Sequence, residues 1–262
     1  MSVLVSVLIS VYNGEKYIKQ AVESILNQTE EDWEMVIIND ASTDKSPEII
    51  LELANHEPRI KFITNEKNLG LTKSLNRGLK ECEGEYIARL DADDVSNRER
   101  LKIQMDFMEN NKEVALCGSQ GMYISEDGKK LGEKNLPTHY KDIKDKLLFN
   151  NQFIHSSLFL RRAVIDKVGF YNESFKTSQD YELVLRLAKN YPVVNLTERL
   201  VSWRVHPGSI SWISKKQEWD AIRARWLGIT KYNYPKLKGL FNIFLRLGWF
   251  IFPQTLKRRH YS

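Results

Sequence analysis

Three carboxylates, Asp91, Asp93 and Asp94, fall within four residues at the end of a strand-like apolar run, Tyr86-Ile87-Ala88-Arg89-Leu90. Carboxylates this close repel one another and lose hydration if covered. A chain holds them at a strand end either around a divalent cation or pointing into water. Mg²⁺ takes one or two carboxylates and fills its remaining positions with water and substrate phosphates. The alternatives are a metal-phosphate site and a solvated acidic turn, and one D-x-D triplet does not separate them.

The elements that would position these groups alternate in type. Val3 to Ile9 is almost continuously apolar and β-branched, the pattern of a strand buried on both faces. Ser10-Val11-Tyr12-Asn13-Gly14 breaks it, and Ile18, Ala21, Val22, Ile25 and Leu26 then recur at helical spacing. Trp33 to Ile38 predicts a second buried strand ending in Asn39-Asp40. Ser46-Pro47-Glu48 has the form of an N-cap followed by proline at the first helical position. Arg59 to Ile63 predicts a third strand. Leu71, Leu75 and Leu79 mark the next helix, and Glu85 to Leu90 the strand that ends in the acidic triplet.

Strands alternating with helices predict an α/β fold with a mostly parallel central sheet flanked by helices. Ligands of such sheets bind outside the carboxyl ends of the strands. Ser10, Tyr12, Asp40, Asp91 and Asp93 are all expected just past strand ends, so separate strands offer polar groups to one crevice. This coincidence favours the metal-and-nucleotide alternative.

The second half is less regular. Leu101, Met105 and Met108 suggest a helix. Val114 to Cys117 and Met122 to Ile124 suggest short strands around Gly118 to Gly121, followed by an Asp127-Gly128 turn and a polar loop to about Tyr140. Phe153 to Phe159 suggests a strand, Arg162 to Val168 a short helix, Tyr181 to Leu187 a helix introduced by Ser178-Gln179-Asp180, and Leu200 to Val205 a strand. A helix through Trp219, Ile222 and Trp226 follows. From Lys236 to Phe252 the pattern is amphipathic in an unusual proportion: Lys238, Asn242 and Arg246 form an i, i+4 polar line, and almost everything else is apolar. Such a helix lies in a membrane interface near anionic headgroups, with the later Lys-Arg-Arg-His adding charge, or it packs on protein.

The 262 residues suffice for one large domain with an appendage, and 42% hydrophobic content supports a sizeable core. The net charge of +5 suits phosphorylated small molecules or an anionic membrane face. The basic residues are scattered until the last segment, which argues against nucleic acid. Cys82 and Cys117 form no CxxC and have no histidine at ligand spacing, so buried reduced thiols are expected, consistent with cytosol. The N-terminal apolar run lacks a basic region and a small-residue cleavage site and is taken as a strand. No run is long enough for a membrane span, and there is no internal repeat.

Six segments, in order and at matching spacing, resemble the family 2 glycosyltransferases of inverting, non-processive bacterial type: "SVLISVYNGEKYIKQAVESILNQT", "WEMVIINDASTDKS", "NLGLTKSLNRGL", "GEYIARLDADD", "SQDYELVLRL" and "WRVHPGSIS". The resemblance spans about residues 3 to 210. It implies the GT-A fold, with residues 1–214 as the glycosyltransferase domain: a nucleotide-binding half to about 95 and an acceptor-binding half from about 96. Residues 215–262 would then be a helical, membrane-associated segment. It also implies that Ser10, Tyr12, Asn13, Asp40, Lys73, Asp91 and Asp93 hold a nucleoside diphosphate sugar, with Tyr12 stacking on the base, Asp40 accepting a ring N–H and Asp93 binding Mg²⁺ or Mn²⁺. Asp94 would hold loop geometry. Asp180 matches the catalytic base, although Gln179 stands where many members have an acid; alone, Asp180 would pass for a helix-dipole aspartate. Arg204, His206 and His155 match positions near the diphosphate or acceptor. The chain departs from the QxxRW pattern of processive synthases.

The activity implied is transfer of one sugar, from a UDP-sugar first among donors, to a glycan or lipid-linked acceptor at the inner face of the cytoplasmic membrane. The rival expectations are a sugar nucleotidyltransferase, which lacks support because no Gly-rich basic loop follows the first strand, and a non-catalytic nucleotide-binding membrane scaffold.

Overall fold

A computed structural model describes residues 4–206 and 215–251, the last three of these by backbone alone. The first half runs β1 (Val5–Val11), α1 (Ile18–Leu26), β2 (Trp33–Asn39), α2 (Ser46–His56), β3 (Ile60–Thr64), α3 (Leu71–Glu81) and β4 (Tyr86–Arg89). The second half runs β5 (Val95–Ser96), α4 (Arg100–Asn110), β6 (Leu116–Ile124), β7 (Lys130–Lys134), α5 (Tyr140–Leu147), a 3₁₀ turn (His155–Ser157), β8 (Phe159–Arg161), α6 (Arg162–Val168), α7 (Gln179–Leu187), β9 (Val193–Arg204), α8 (Lys215–Thr230) and α9 (Lys236–Ile251).

One sheet passes through both halves in the order β3-β2-β1-β4-β8-β6-β9-β5, with β7 paired to β6. The first four strands are parallel, as the strand-helix alternation predicts. The rest of the sheet is mixed: β8 runs antiparallel to both β4 and β6, and β9 parallel to β6. Strand alternation sends side chains to opposite faces. Val5, Val7, Ile9, Met35, Ile37 and Ala88 join a core with α1 and α4, whereas Leu8, Val36, Ile38 and Ile87 join a second core with α3, α7 and α8. Both faces are buried, which is why these strands read as continuous apolar runs. Ala224, Ile229 and Tyr234 belong to the second core, so α8 and the turn after it are built into the body.

Several expectations are corrected. Ser10 lies within β1, one residue before its end. Ser46 is the first residue of α2 and does not cap it; its hydroxyl accepts the Gly14 N–H at 2.9 Å, tying two loops together. The two short strands around Gly118 are one nine-residue strand, β6. A Cβ at Gly118 would sit 2.4 Å from Asn195 Oδ1, so glycine here serves close packing of β6 on β9 and does not break the strand. The polar stretch before Tyr140 contains β7, hidden from periodicity because its mostly exposed residues bury no face. Within the run Phe153 to Phe159 only Phe159 is strand, and His155–Ser157 form a 3₁₀ turn, since burial selects apolar residues whatever the backbone does there. Helix α5 was not foreseen, as only Ile143 and Leu147 are buried along it. Cys82 and Cys117 are buried and free, and burial pushes each thiol up to about 12.

Candidate active site

The loops after β1, β2 and β3 are fastened to one another. The Asn13 N–H donates to Ser42 Oγ at 3.0 Å, and Asn13 Oδ1 accepts the Thr43 N–H at 2.8 Å. The Glu15 N–H donates to Asp44 Oδ2 at 2.9 Å and Glu15 Oε2 accepts the Lys45 N–H at 2.8 Å. Asp40 is 2% exposed. Its carboxylate accepts Asn65 Nδ2 at 2.7 Å and the Leu69 and Gly70 N–H groups at 2.8 Å each. Gly70 has φ +86°, a left-handed conformation that turns its N–H toward Asp40 and that a side chain would resist. Asp40 therefore fixes the entry to α3, a task the sequence did not suggest, and Oδ2 keeps an acceptor direction for a ligand. Tyr12 is exposed at the rim, Ser10 is 8% exposed with no side-chain hydrogen bond among the described residues, and Lys73 on α3 is exposed with no ion pair among them.

The acidic triplet splits into three environments. Asp91 lies against the buried Arg89 guanidinium. Its Oδ2 accepts the Ser156 hydroxyl at 2.8 Å, and its N–H donates to Ser156 Oγ at 3.1 Å. Burial acts to raise its proton affinity, but Arg89, His155 and Ser156 outweigh that and hold the carboxyl below its ordinary value. Asp93 is shifted upward by burial and by repulsion from Asp91, partly offset by His206, whose Nε2 lies 2.9 Å from Oδ2. Asp94 is 2% exposed and pushed well above the usual carboxylate range by burial and by both neighbouring carboxylates. It accepts the Arg204 N–H at 2.9 Å and meets the Ser156 hydroxyl. A hydroxyl carries one hydrogen, so Ser156 donates to only one of Asp91 and Asp94.

Arg204 differs from expectation. Its guanidinium is 1% exposed and bonds the Asp93 carbonyl at 2.8 Å, the Ser125 and Glu126 carbonyls at 3.0 and 2.9 Å, and Gln20 Oε1 at 2.5 Å. Its guanidinium is engaged by protein oxygens and shapes the Asp93 turn. The remainder of that predicted loop, from residue 207, lies outside the described residues.

Asp180 occupies the first turn of α7, where Asn151 Nδ2 donates to its Oδ2 at 2.7 Å. His155 stands between Asp91 and Tyr171: its Nδ1 is 3.8 Å from Asp91 Oδ2 and its Nε2 3.1 Å from the Tyr171 hydroxyl. Burial and Arg89 lower its proton affinity, while Asp91 and Asp180 both pull it upward. The same two carboxylates act on Tyr171, whose hydroxyl burial raises. Residues 89 positions apart in sequence thus both act electrostatically on the His155–Tyr171 pair.

Sequence reasoning missed Arg89, Ser156, Asn151 and Tyr171. For Arg89 a signal existed, a cation inside a run otherwise patterned as buried. The others give none, because polar loop residues are common. Ser156→Ala strips the buried Asp91–Asp94 contact and should cost about 1–3 kcal/mol of stability. A thermal denaturation curve superimposable on the parent's would show that the serine holds nothing.

As for a metal, no group of three His, Cys, Asp or Glu side chains among the described residues is arranged to hold an ion by itself. The donor set offered is the Asp93 carboxylate with the His206 imidazole beside it. That fits an ion whose other positions come from water and a diphosphate, and it suits Mn²⁺ at least as well as Mg²⁺.

The acidic turn lies past the carboxyl end of β4 in an α/β sheet, where ligands of such sheets bind. The sequence pattern of glycosyl transferase family 2 matches residues 6–169, and the chain belongs to that family. It is 37% identical over 221 residues, 82% of this chain and 76% of the relative, to the glycosyltransferase MJ1057 of Methanocaldococcus jannaschii. To the amylovoran biosynthesis glycosyltransferase AmsE of Erwinia amylovora it is 34% identical over 223 residues, 84% of this chain and 82% of that one. The fold resembles that of TarS 1-349 from S. aureus in complex with UDP-GlcNAc, with a TM-score of 0.72 at 20% identity, covering 91% of this chain and 69% of that structure. The protein is a glycosyltransferase with a GT-A fold.

Proposed function

We propose that this enzyme moves one sugar from a nucleoside diphosphate sugar, a UDP-sugar first among donors, to an acceptor hydroxyl with inversion at the anomeric carbon. The observation that carries this reading is the placement of Asp91 and Asp93 just past the end of β4, with the His155 and His206 rings 3.8 and 2.9 Å from their carboxylates. The AmsE and TarS comparisons support a nucleotide-sugar donor and a polysaccharide context.

The roles follow from the chemistry. Tyr12 and Ser10 bind base and ribose at the crevice rim, with Asp40 accepting a ring N–H and Asn13 and Lys73 lining the entrance. Asp91, kept ionised by Arg89, accepts a ribose hydroxyl. Asp93 with His206 would hold Mg²⁺ or Mn²⁺, and the ion would supply charge stabilisation for the departing diphosphate. Asp180 takes the proton of the acceptor hydroxyl as that oxygen bonds the anomeric carbon. The bond from that carbon to the phosphate oxygen breaks, and its electron pair leaves with the nucleoside diphosphate. A single displacement inverts the centre and needs no second carboxylate as nucleophile. His155, held between Asp91 and Tyr171, borders the acceptor. Residues to about 95 form the donor half and those to 214 the acceptor half. The acceptor is a glycan or a lipid-linked precursor met at the cytoplasmic face of the membrane.

Binding to the native state raises apparent stability by mass action. In a thermal-shift panel of UDP, dTDP, GDP and CDP with and without Mn²⁺, UDP with Mn²⁺ should raise Tm by about 5–10 °C near a hundredfold excess over Kd. A larger metal-dependent shift with another nucleotide would reassign the donor base. No shift with any nucleotide would overturn the donor site.

A further inference from the structure

We propose that the outward face of α9, together with a lysine-lined cavity at its start, docks on an anionic phospholipid bilayer. A helix on a globular body normally turns its apolar side inward. Here the orientation is reversed. Asn242 is 3% exposed, Arg246 pairs with Glu218 at 3.6 Å and donates to the Phe149 carbonyl at 3.3 Å, and Lys238 donates to the Asp145 carbonyl at 2.6 Å. Of the polar line, Asn242 and Arg246 are thus turned to the protein, while Lys238 at the helix start is only partly covered and borders a cavity. The opposite side leaves Leu237, Leu240, Phe241, Phe244, Leu245 and Leu247 exposed, with Leu237 at 86% and Phe244 at 73%. These positions recur at i, i+3, i+4 and i+7 and make one contiguous apolar face, of the kind that marks an interaction site.

The partner is indicated by charge. Beside this face a cavity of 260 Å³ is lined by Lys144, Lys189 and Lys238, with Tyr232, Asn233 and Asp145 among its walls. The three ammonium groups bond neutral oxygens only: Tyr140 Oη at 3.0 Å, the Lys231 carbonyl at 3.3 Å and the Asp145 carbonyl at 2.6 Å. None forms an ion pair among the described residues, and against them the cavity wall sets one carboxylate, Asp145. An apolar face flanked by unpaired cations matches acyl chains beneath anionic headgroups. A symmetric dimer on this face would bring the lysines of both copies to one interface, which is unfavourable. The sequence after α9 adds Lys257, Arg258 and Arg259, the same sign again.

No described helix is long and apolar enough to cross a membrane, so the contact proposed is one of lying on the surface. It does not depend on the donor chemistry, and its test uses no transfer assay. The full chain is floated on vesicles of phosphatidylcholine with or without phosphatidylglycerol. It should float with the anionic vesicles. The Phe241→Asp/Phe244→Asp variant should lose about a hundredfold in partitioning. Replacing Lys144, Lys189 and Lys238 by alanine should cost about a hundredfold on anionic vesicles and little on neutral ones. Far-ultraviolet circular dichroism checks folding, and Leu237→Asp serves if the double variant does not fold. A full chain that stays unbound, or aspartate variants that float like the parent, would overturn the proposal. So would light scattering that shows a dimer broken by Phe241→Asp/Phe244→Asp while the parent ignores vesicles.

Discussion

Asp180→Asn should lower turnover by about 10²–10⁴-fold, the usual scale for loss of a general base. The metal-dependent thermal shift with the donor nucleotide should stay as it was. The substitution is nearly isosteric, and an asparagine in the first turn of α7 can still present a carbonyl oxygen to Asn151 Nδ2, which now donates to Asp180 at 2.7 Å. What the amide lacks is basicity, so the acceptor hydroxyl keeps its proton in the transition state. The effect should therefore appear in kcat, with KM for the donor little changed. Single-turnover transfer to the acceptor measures it. Turnover equal to the parent's would remove Asp180 from the mechanism. A parallel loss of nucleotide binding would mean that Asp180 shapes the donor pocket.

Asp93→Ala should remove the metal response of nucleotide binding, with affinity in the presence of Mn²⁺ falling about a hundredfold or more. The same titration without metal should differ little from the parent, because only the ion links Asp93 to the diphosphate. The unliganded protein should lose little stability. Asp93 gives up its contact with His206 at 2.9 Å, but the repulsion it exchanges with Asp91 and Asp94 also disappears. Isothermal titration with UDP at fixed Mn²⁺ tests this. An undiminished metal response would place the ion elsewhere. His206→Ala should fall between parent and Asp93→Ala if the imidazole shares the ion, and should match the parent if it only orients the carboxylate.

The sequence by itself determined the parallel half of the sheet and the chemical character of the crevice. Nearly continuous apolar, β-branched runs such as Val3 to Ile9 and Trp33 to Ile38 read as strands covered on both faces, and the helices between them favour a parallel order. Their ends must then deliver Tyr12, Asp40 and Asp91 to one side. What only the tertiary structure decided depends on contacts between distant segments. No local pattern shows that Arg204 is buried behind the Asp93 turn, or that Ser156 joins Asp91 to Asp94 across more than 60 residues. The same holds for Asp40, whose bonds to Asn65, Leu69 and Gly70 arise only when the loops after β2 and β3 meet. In α9 the periodicity fixed a helix with one polar line but not its direction. Asp145, Phe149 and Glu218 supply partners for that line from other elements, so the charged side turns inward and the apolar side is left facing out.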